Sequence, residues 1–118
     1  MPREEYNNGY YVGAMSDGKR HGIGTYYWNS GNRYSGNWDN GDMHGSGIYF
    51  YKDGCCYIGD FVRDKRQGHG IFYYPSGAYY DGDYIGDKRS GRGVYHYADG
   101  DAYGGDFLDG NFHGTGTY

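Results

Sequence analysis

Apolar residues and glycines recur along this chain at a fixed interval. Tyr11, Tyr34, Tyr57, Tyr80 and Tyr103 stand 23 residues apart with no insertion. Two residues after each comes a glycine (Gly13, Gly36, Gly59, Gly82, Gly105), and four after comes a large apolar residue (Met15, Trp38, Phe61, Tyr84, Phe107). Paired glycines follow (Gly22 and Gly24, Gly45 and Gly47, Gly68 and Gly70, Gly91 and Gly93, Gly114 and Gly116), then an aromatic (Tyr26, Tyr49, Phe72, Tyr95, Tyr118). Inside a copy the period is two. Tyr34, Gly36 and Trp38 share one face of a strand, and Gly45, Gly47 and Tyr49 share one face of the next. Between them lies the turn-rich segment Asn40-Gly41-Asp42-Met43-His44. After the second strand comes Lys52-Asp53-Gly54, where Asp-Gly favours a left-handed turn position. Each copy therefore reads as a β-hairpin, and the copies as an antiparallel meander. Four are complete (11–33, 34–56, 57–79, 80–102) and a fifth covers 103–118. Residues 1–10 form an N-terminal extension, in which 6–10 read as the degenerate end of an earlier copy. The expected fold is all-β: one elongated, open sheet of ten strands, spanning roughly 45–50 Å at ~4.8 Å per strand.

Composition agrees with this pattern. Of 118 residues, 25 are glycine and 18 are tyrosine, whereas isoleucine, leucine and valine together number nine. A helical bundle cannot be cored with so few aliphatics, and glycine costs ~1 kcal/mol against alanine inside a helix. Aromatics replace the missing apolar area, each burying ~150–250 Å². Glycine normally weakens a strand, but its bare backbone leaves room for a neighbouring ring to lie over it. Five copies of glycine beside aromatic predict a ladder of rings, with Trp28, Trp38, Phe61, Phe72 and Phe107 its least polar members. Stacked hairpins then bury a continuous strip that no single hairpin could bury. Collagen is excluded, since glycine does not recur every third residue and there are two prolines.

The copies resemble the MORN (membrane occupation and recognition nexus) repeat, whose pattern is Tyr-x-Gly-x-Trp, then Gly-Lys-x-His-Gly-x-Gly-x-Tyr, then x-x-x-Asp/Ser-Gly. The segment from Tyr11 to Tyr26 follows it with Met15 replacing the aromatic, and Tyr34-Ser-Gly36-Asn-Trp38 matches its opening in full. The chain departs from the pattern where Asp64 and Asp87 replace the glycine seen at Gly18, Gly41 and Gly110. It departs again where Gln67 and Ser90 replace the histidine of His21, His44 and His113. The resemblance implies an elongated twisted sheet and a scaffolding role in ciliary, cytoskeletal or membrane-cortical assemblies. Some relatives add a lipid kinase or methyltransferase domain, for which this chain has no room. Tyr57-Ile-Gly59-Asp-Phe61 and Phe72-Tyr-Tyr-Pro75-Ser-Gly77 are also similar to copies in ciliary radial-spoke head proteins.

Candidate chemistry is sparse. His21 and His44 would lie roughly 10 Å apart in neighbouring copies, too far to share a zinc at ~2.0–2.1 Å per bond, so each reads as a turn residue bonded locally. Cys55 and Cys56 alternate to opposite faces and form neither a metal nor a redox motif. Ser16-Asp17-Gly18-Lys19 matches the Ser-x-x-Lys of some hydrolases, yet it sits at a hairpin tip where lysine recurs as Lys65 and Lys88. The Gly-x-Gly pairs precede no helix and are not phosphate loops. The expectation is a chain without catalytic residues, cofactor or metal.

Two surfaces carry the functional expectation. An open sheet cannot bury both faces itself, and Tyr34, Trp38, Tyr57, Phe61, Tyr80, Tyr84, Phe72 and Tyr95 predict an aromatic groove for a partner peptide or helix. Lys19, Arg20, Lys65, Arg66, Lys88 and Arg89 occupy one turn position in three copies and predict a basic rail along an edge, able to meet anionic lipid. A net charge of −4 argues against nucleic acid as the main partner. There is no run of ~18 apolar residues, no apolar signal core and no disulfide framework, which favours the cytoplasm, with cytoskeletal or ciliary association. The sheet edges, including the last strand at Tyr118, predict end-to-end or edge self-association. The expected function is a non-catalytic scaffold or adaptor, the alternative being an anionic-membrane or phosphoinositide module that uses the rail.

Overall fold

The computed structural model of the chain describes residues 3–108 and the strand at 111–117. Its elements are β1 (Glu4–Tyr6), β2 (Gly9–Ser16), β3 (Lys19–Trp28), β4 (Arg33–Asp39), β5 (Asp42–Phe50), β6 (Cys56–Val62), β7 (Lys65–Tyr73), β8 (Tyr79–Ile85), β9 (Lys88–His96), β10 (Ala102–Leu108) and β11 (Asn111–Thr117). They form one open sheet in chain order, each strand antiparallel to the next. The sheet measures 49 × 24 × 19 Å with a radius of gyration of 15.9 Å, against the ~13.5 Å of a compact domain of this length. The strand count exceeds the expected ten by β1, which pairs Glu4 with Tyr11 and Tyr6 with Gly9 across a two-residue turn.

Both kinds of turn follow from their residues. At the tips, Asp17-Gly18 and Asn40-Gly41 hold positive φ (+51 and +74, +50 and +88). Two left-handed residues in succession make the tight hairpin whose twist matches the strands. The turn is therefore shorter than the sequence pattern suggested, and Asp42, Met43 and His44 already belong to β5. At the opposite edge, Gly54 donates to the Tyr51 carbonyl at 3.0 Å with φ +99, the left-handed place expected of Asp53-Gly54. Gly31, Gly77 and Gly100 repeat this bond to Trp28, Tyr74 and Tyr97.

The core lies on one face and is built from rings over bare backbone. Tyr11, Tyr34, Tyr57 and Tyr80 are at most 1% exposed. Each hydroxyl donates to the carbonyl three residues on, at Ala14, Asn37, Asp60 and Asp83 (2.7–3.0 Å), so the buried polar atom is satisfied. A Cβ placed on Gly24, Gly47, Gly70 or Gly93 would stand 2.0–2.4 Å from the hydroxyl of the tyrosine above it, so only glycine admits the ring. Tyr34, Tyr57 and Tyr80 are each also clasped edge-on between two rings, while Tyr11, whose own copy carries Met15, meets Trp38. Phe61 meets both Tyr34 and Tyr57 at 5.0 and 5.1 Å, and Tyr57 meets Tyr84 at 5.3 Å. Every clasp joins one copy to the next, which makes the array cohesive.

Candidate functional site

A second tier of rings runs beside the core tyrosines on the same face. Tyr6, Tyr26, Trp28, Tyr49, Tyr51, Phe72, Tyr74, Tyr95 and Tyr97 follow one another with centroids 4.5–5.9 Å apart. Except for buried Tyr26 and exposed Tyr6, these rings are half-buried. The stripe forms because the residue fifteen places into each copy and the one two beyond it share strand parity. Copies stand ~10 Å apart at two strand spacings, so successive ring pairs touch.

The expected groove residues sit at two depths. Tyr34, Tyr57 and Tyr80 are wholly buried, and Trp38, Phe61 and Tyr84 are 4%, 3% and 3% exposed. These six form the floor under the groove and offer a partner almost no surface. Phe72 and Tyr95 are half-buried and belong to the open stripe. Trp28, Tyr51, Tyr74 and Tyr97 complete that stripe; the groove reading missed them, and their parity with Tyr26, Tyr49, Phe72 and Tyr95 was the signal that could have found them. What the pattern lacked was depth, which is decided by the neighbouring copies.

The expected basic rail divides, and this corrects the sequence reading of the arginines. Lys19, Lys65 and Lys88 are exposed at the tips. Arg20, Arg66 and Arg89 fold over the groove face instead. Arg66 lies over Tyr57, Phe72 and Tyr84 at 5.2–5.8 Å, Arg20 over Tyr6, Tyr26 and Trp38 at 4.9–5.0 Å, and Arg89 over Tyr80, Tyr95 and Phe107 at 5.2–5.5 Å. A guanidinium is weakly hydrated and planar, so it stacks on rings where an ammonium stays in water. Parity carried the signal: counting back from Tyr26 through Gly24 and Gly22 reaches Arg20, on the ring face. In copy two the same place holds Met43, which is buried.

The tips are also tied copy to copy. Arg20 Nη2 donates to the Gly41 carbonyl at 2.7 Å, and Arg66 Nη2 to the Asp87 carbonyl at 2.6 Å. The aspartates that replace glycine add a carboxylate to this tie. Asp64 Oδ1 accepts from the Met43 amide, and Asp87 Oδ1 from the Arg66 amide, both at 2.8 Å. Their left-handed φ of +72 and +76 is tolerated because a short polar side chain suits that region.

The remaining candidates are local. His21 Nδ1 stands 3.3 Å from Asp39, and His44 Nδ1 accepts from the Arg63 amide at 3.3 Å; the side chain of His113 lies outside the described residues. Ser16 and Lys19 pair across the Asp17-Gly18 turn, both exposed. Burial pushes the Cys55 and Cys56 thiols up from their ordinary range. Among the described residues, no group of three or more His, Cys, Asp or Glu is placed to hold a metal ion, and no helix is long and apolar enough to cross a membrane.

Burial also governs the tyrosines, pushing Tyr34, Tyr51 and Tyr80 up to about 12 and raising Tyr57 and Tyr84. An unfolded tyrosine ionises near ~10. The folded state thus holds protons that the unfolded state has released, and stability falls as pH rises. The contribution is complete below pH ~10 and is lost as the pH climbs through about 12. A phenolate absorbance titration beside far-ultraviolet circular dichroism should show part of the 18 tyrosines ionising only as the sheet unfolds. Titration of every tyrosine near the ordinary value with the sheet intact would contradict this.

No curated protein matches the chain. The family model described as MORN repeat matches five consecutive segments, residues 11–33, 34–56, 57–79, 80–102 and 103–118, the same copies that the hairpins delimit. With glycine-seated tyrosines repeating through that span, this chain belongs to the MORN repeat family.

Proposed function

We propose that this chain is a non-catalytic scaffold or adaptor that holds a segment of a protein partner along its ring-lined groove, within a cytoskeletal, ciliary or membrane-cortical assembly. MORN repeats are modules for protein or membrane interaction. The observation that carries the protein reading is the unbroken stripe of half-buried rings, from Trp28 to Tyr97, on the face that already holds the core. Tyrosine and tryptophan offer large rigid area with a polar tip, the chemistry enriched at interface centres. Tyr49, Tyr51 and Tyr74 are protonated well above neutral pH, further so through burial, so these rings are neutral and able to donate hydrogen bonds, and the charge on this face is that of Arg20, Arg66 and Arg89.

The test uses half-buried rings that lie outside the fully buried core. Tyr51→Ala with Tyr74→Ala should leave the circular dichroism spectrum unchanged and weaken a partner purified from the native source at least tenfold, or ~1.4 kcal/mol. Trp38→Ala and Phe61→Ala are unsuitable, because both rings belong to the core. Undiminished retention by the double variant would overturn the groove.

The membrane reading keeps three exposed lysines of the six expected cations. At ~1 kcal/mol per charge near an anionic surface, that is a weak attraction opposed by a net charge of −4. Co-sedimentation with anionic vesicles that vanishes with added salt, and with substitution of Lys19, Lys65 and Lys88, would favour it. Self-association has less support at the β1 edge, whose three residues include Glu4 and Glu5, since short charged edges resist strand pairing.

A further inference from the structure

Among the described residues, the arginine ladder lacks a carboxylate at its first step. Arg66 is held by Asp87 at its backbone amide, its Nη2 and its Nε, the last standing 3.3 Å from Oδ1. One copy pair earlier, Asp64 Oδ1 reaches the Met43 amide. At the first step the corresponding residue is Gly41. Arg20 Nη2 bonds to its carbonyl, but Arg20 Nε is shielded from water and has no hydrogen-bond partner. A Cβ on Gly41 would meet nothing nearer than Arg20 Nη2 at 3.8 Å. The place that Asp87 fills beside Arg66 is therefore open beside Arg20. It opens into a cavity of about 510 Å³ between the N-terminal hairpin and the first tips, walled by Tyr6, Trp28, Trp38 and Asp64.

We propose that this cavity takes an acidic side chain of a protein partner. Its carboxylate stands at Arg20 where Asp87 stands at Arg66, and the partner's neighbouring apolar residues lie on the adjoining rings. The inference rests on the groove reading above and narrows it: the bound segment places an aspartate or glutamate at the first copy. The charge complementarity is local and the geometry is borrowed from the chain itself. A planar guanidinium pinned over rings is pre-organised for a carboxylate, and a shielded donor without an acceptor gains by meeting one. Asp64 opposes the incoming charge from the wall, although the Met43 amide engages its Oδ1.

The test follows the Arg20 Nε–H resonance of the full chain by nuclear magnetic resonance, titrating acetyl-Leu-Glu-Leu-amide against acetyl-Leu-Gln-Leu-amide. The glutamate peptide should move Arg20 saturably while Arg66, already occupied, stays still, and the glutamine peptide should bind at least tenfold more weakly. Gly41→Asp supplies the carboxylate internally. It should place Arg20 at its bound position without peptide and weaken the peptide at least tenfold; the left-handed φ of +88 there is one that Asp64 and Asp87 adopt nearby. Asp64→Asn should tighten binding. Arg20→Met copies what Met43 does in copy two, so it preserves the fold while removing the response. The proposal is overturned by no saturable shift at Arg20, by equal binding of the glutamine peptide, by stronger binding of inorganic phosphate, or by unchanged affinity in Gly41→Asp. If Arg20→Met leaves capture of a native partner intact while Tyr51→Ala with Tyr74→Ala abolishes it, this inference fails and the groove stands. A peptide response at Arg20 with no dependence of partner capture on the rings separates them the other way.

Discussion

Replacing Tyr57 with alanine should cost about 3–5 kcal/mol, the range for removing a buried ring, and split the array at its centre. Tyr57 is fully buried, is clasped edge-on by Phe61 from its own copy and Tyr84 from the next, and donates to the Asp60 carbonyl at 2.9 Å. Its loss removes packing on both sides of one junction. In a stacked array the nearest-neighbour terms carry cooperativity, so the urea transition should both shift and broaden. Tyr57→Phe keeps the ring and loses only the hydroxyl bond, at about 1 kcal/mol. A Tyr57→Ala transition within ~1 kcal/mol of the parent would show that the ring does not couple the copies.

Gly70→Ala should destabilise by about 1–3 kcal/mol, the cost of overpacking, and the sign should change when the ring is gone. The added methyl would lie 2.3 Å from the Tyr57 hydroxyl and 2.4 Å from Cε1, and the ring, clasped on two sides, has nowhere to move. The three nearest atoms all belong to that ring, so without it the methyl should be accommodated, and the smaller entropy of the unfolded chain should make the change neutral or favourable by ~0.4–1 kcal/mol. A double-mutant cycle on Gly70→Ala and Tyr57→Ala, measured by denaturant unfolding in the cold, should therefore report a coupling well above ~0.5 kcal/mol. Gly59→Ala is the contrast. There the methyl would also meet the Gly70 Cα at 2.6 Å and the His69 carbonyl at 2.7 Å, which are backbone atoms that removing the ring does not clear. Additive behaviour of Gly70 and Tyr57 would mean that the glycine serves the backbone and not the ring.

These two results bear on how much of the site was readable beforehand. The repeat of Tyr57, Gly59, Phe61, Gly70 and Phe72 was legible because ring and glycine alternate with strand parity, and parity is a local property. The same parity puts Trp28, Tyr51, Tyr74 and Arg20 on the ring face, although the sequence reading set Arg20 on an edge rail and did not single out Tyr51 or Tyr74. Parity could not separate Tyr57, fully buried, from Phe72, half-buried directly opposite it in the hairpin. Both are aromatic and share a face, and their difference arises from rings contributed by the next copy. The tip aspartates were visible as departures from the repeat, yet their role was not. Asp87 acts on Arg66, 21 residues away in sequence, and only the stacking of one tip on the previous one brings them together.

From the chain alone came the copy length, the hairpins, the open ribbon and the reason for glycine within strands, since each depends on alternation and turn chemistry within a few residues. Tertiary structure decided which rings became floor and which stayed open, turned the arginines onto the aromatic face while leaving the lysines in water, and exposed the missing carboxylate at Gly41. Those outcomes depend on distances between copies, which no single copy contains.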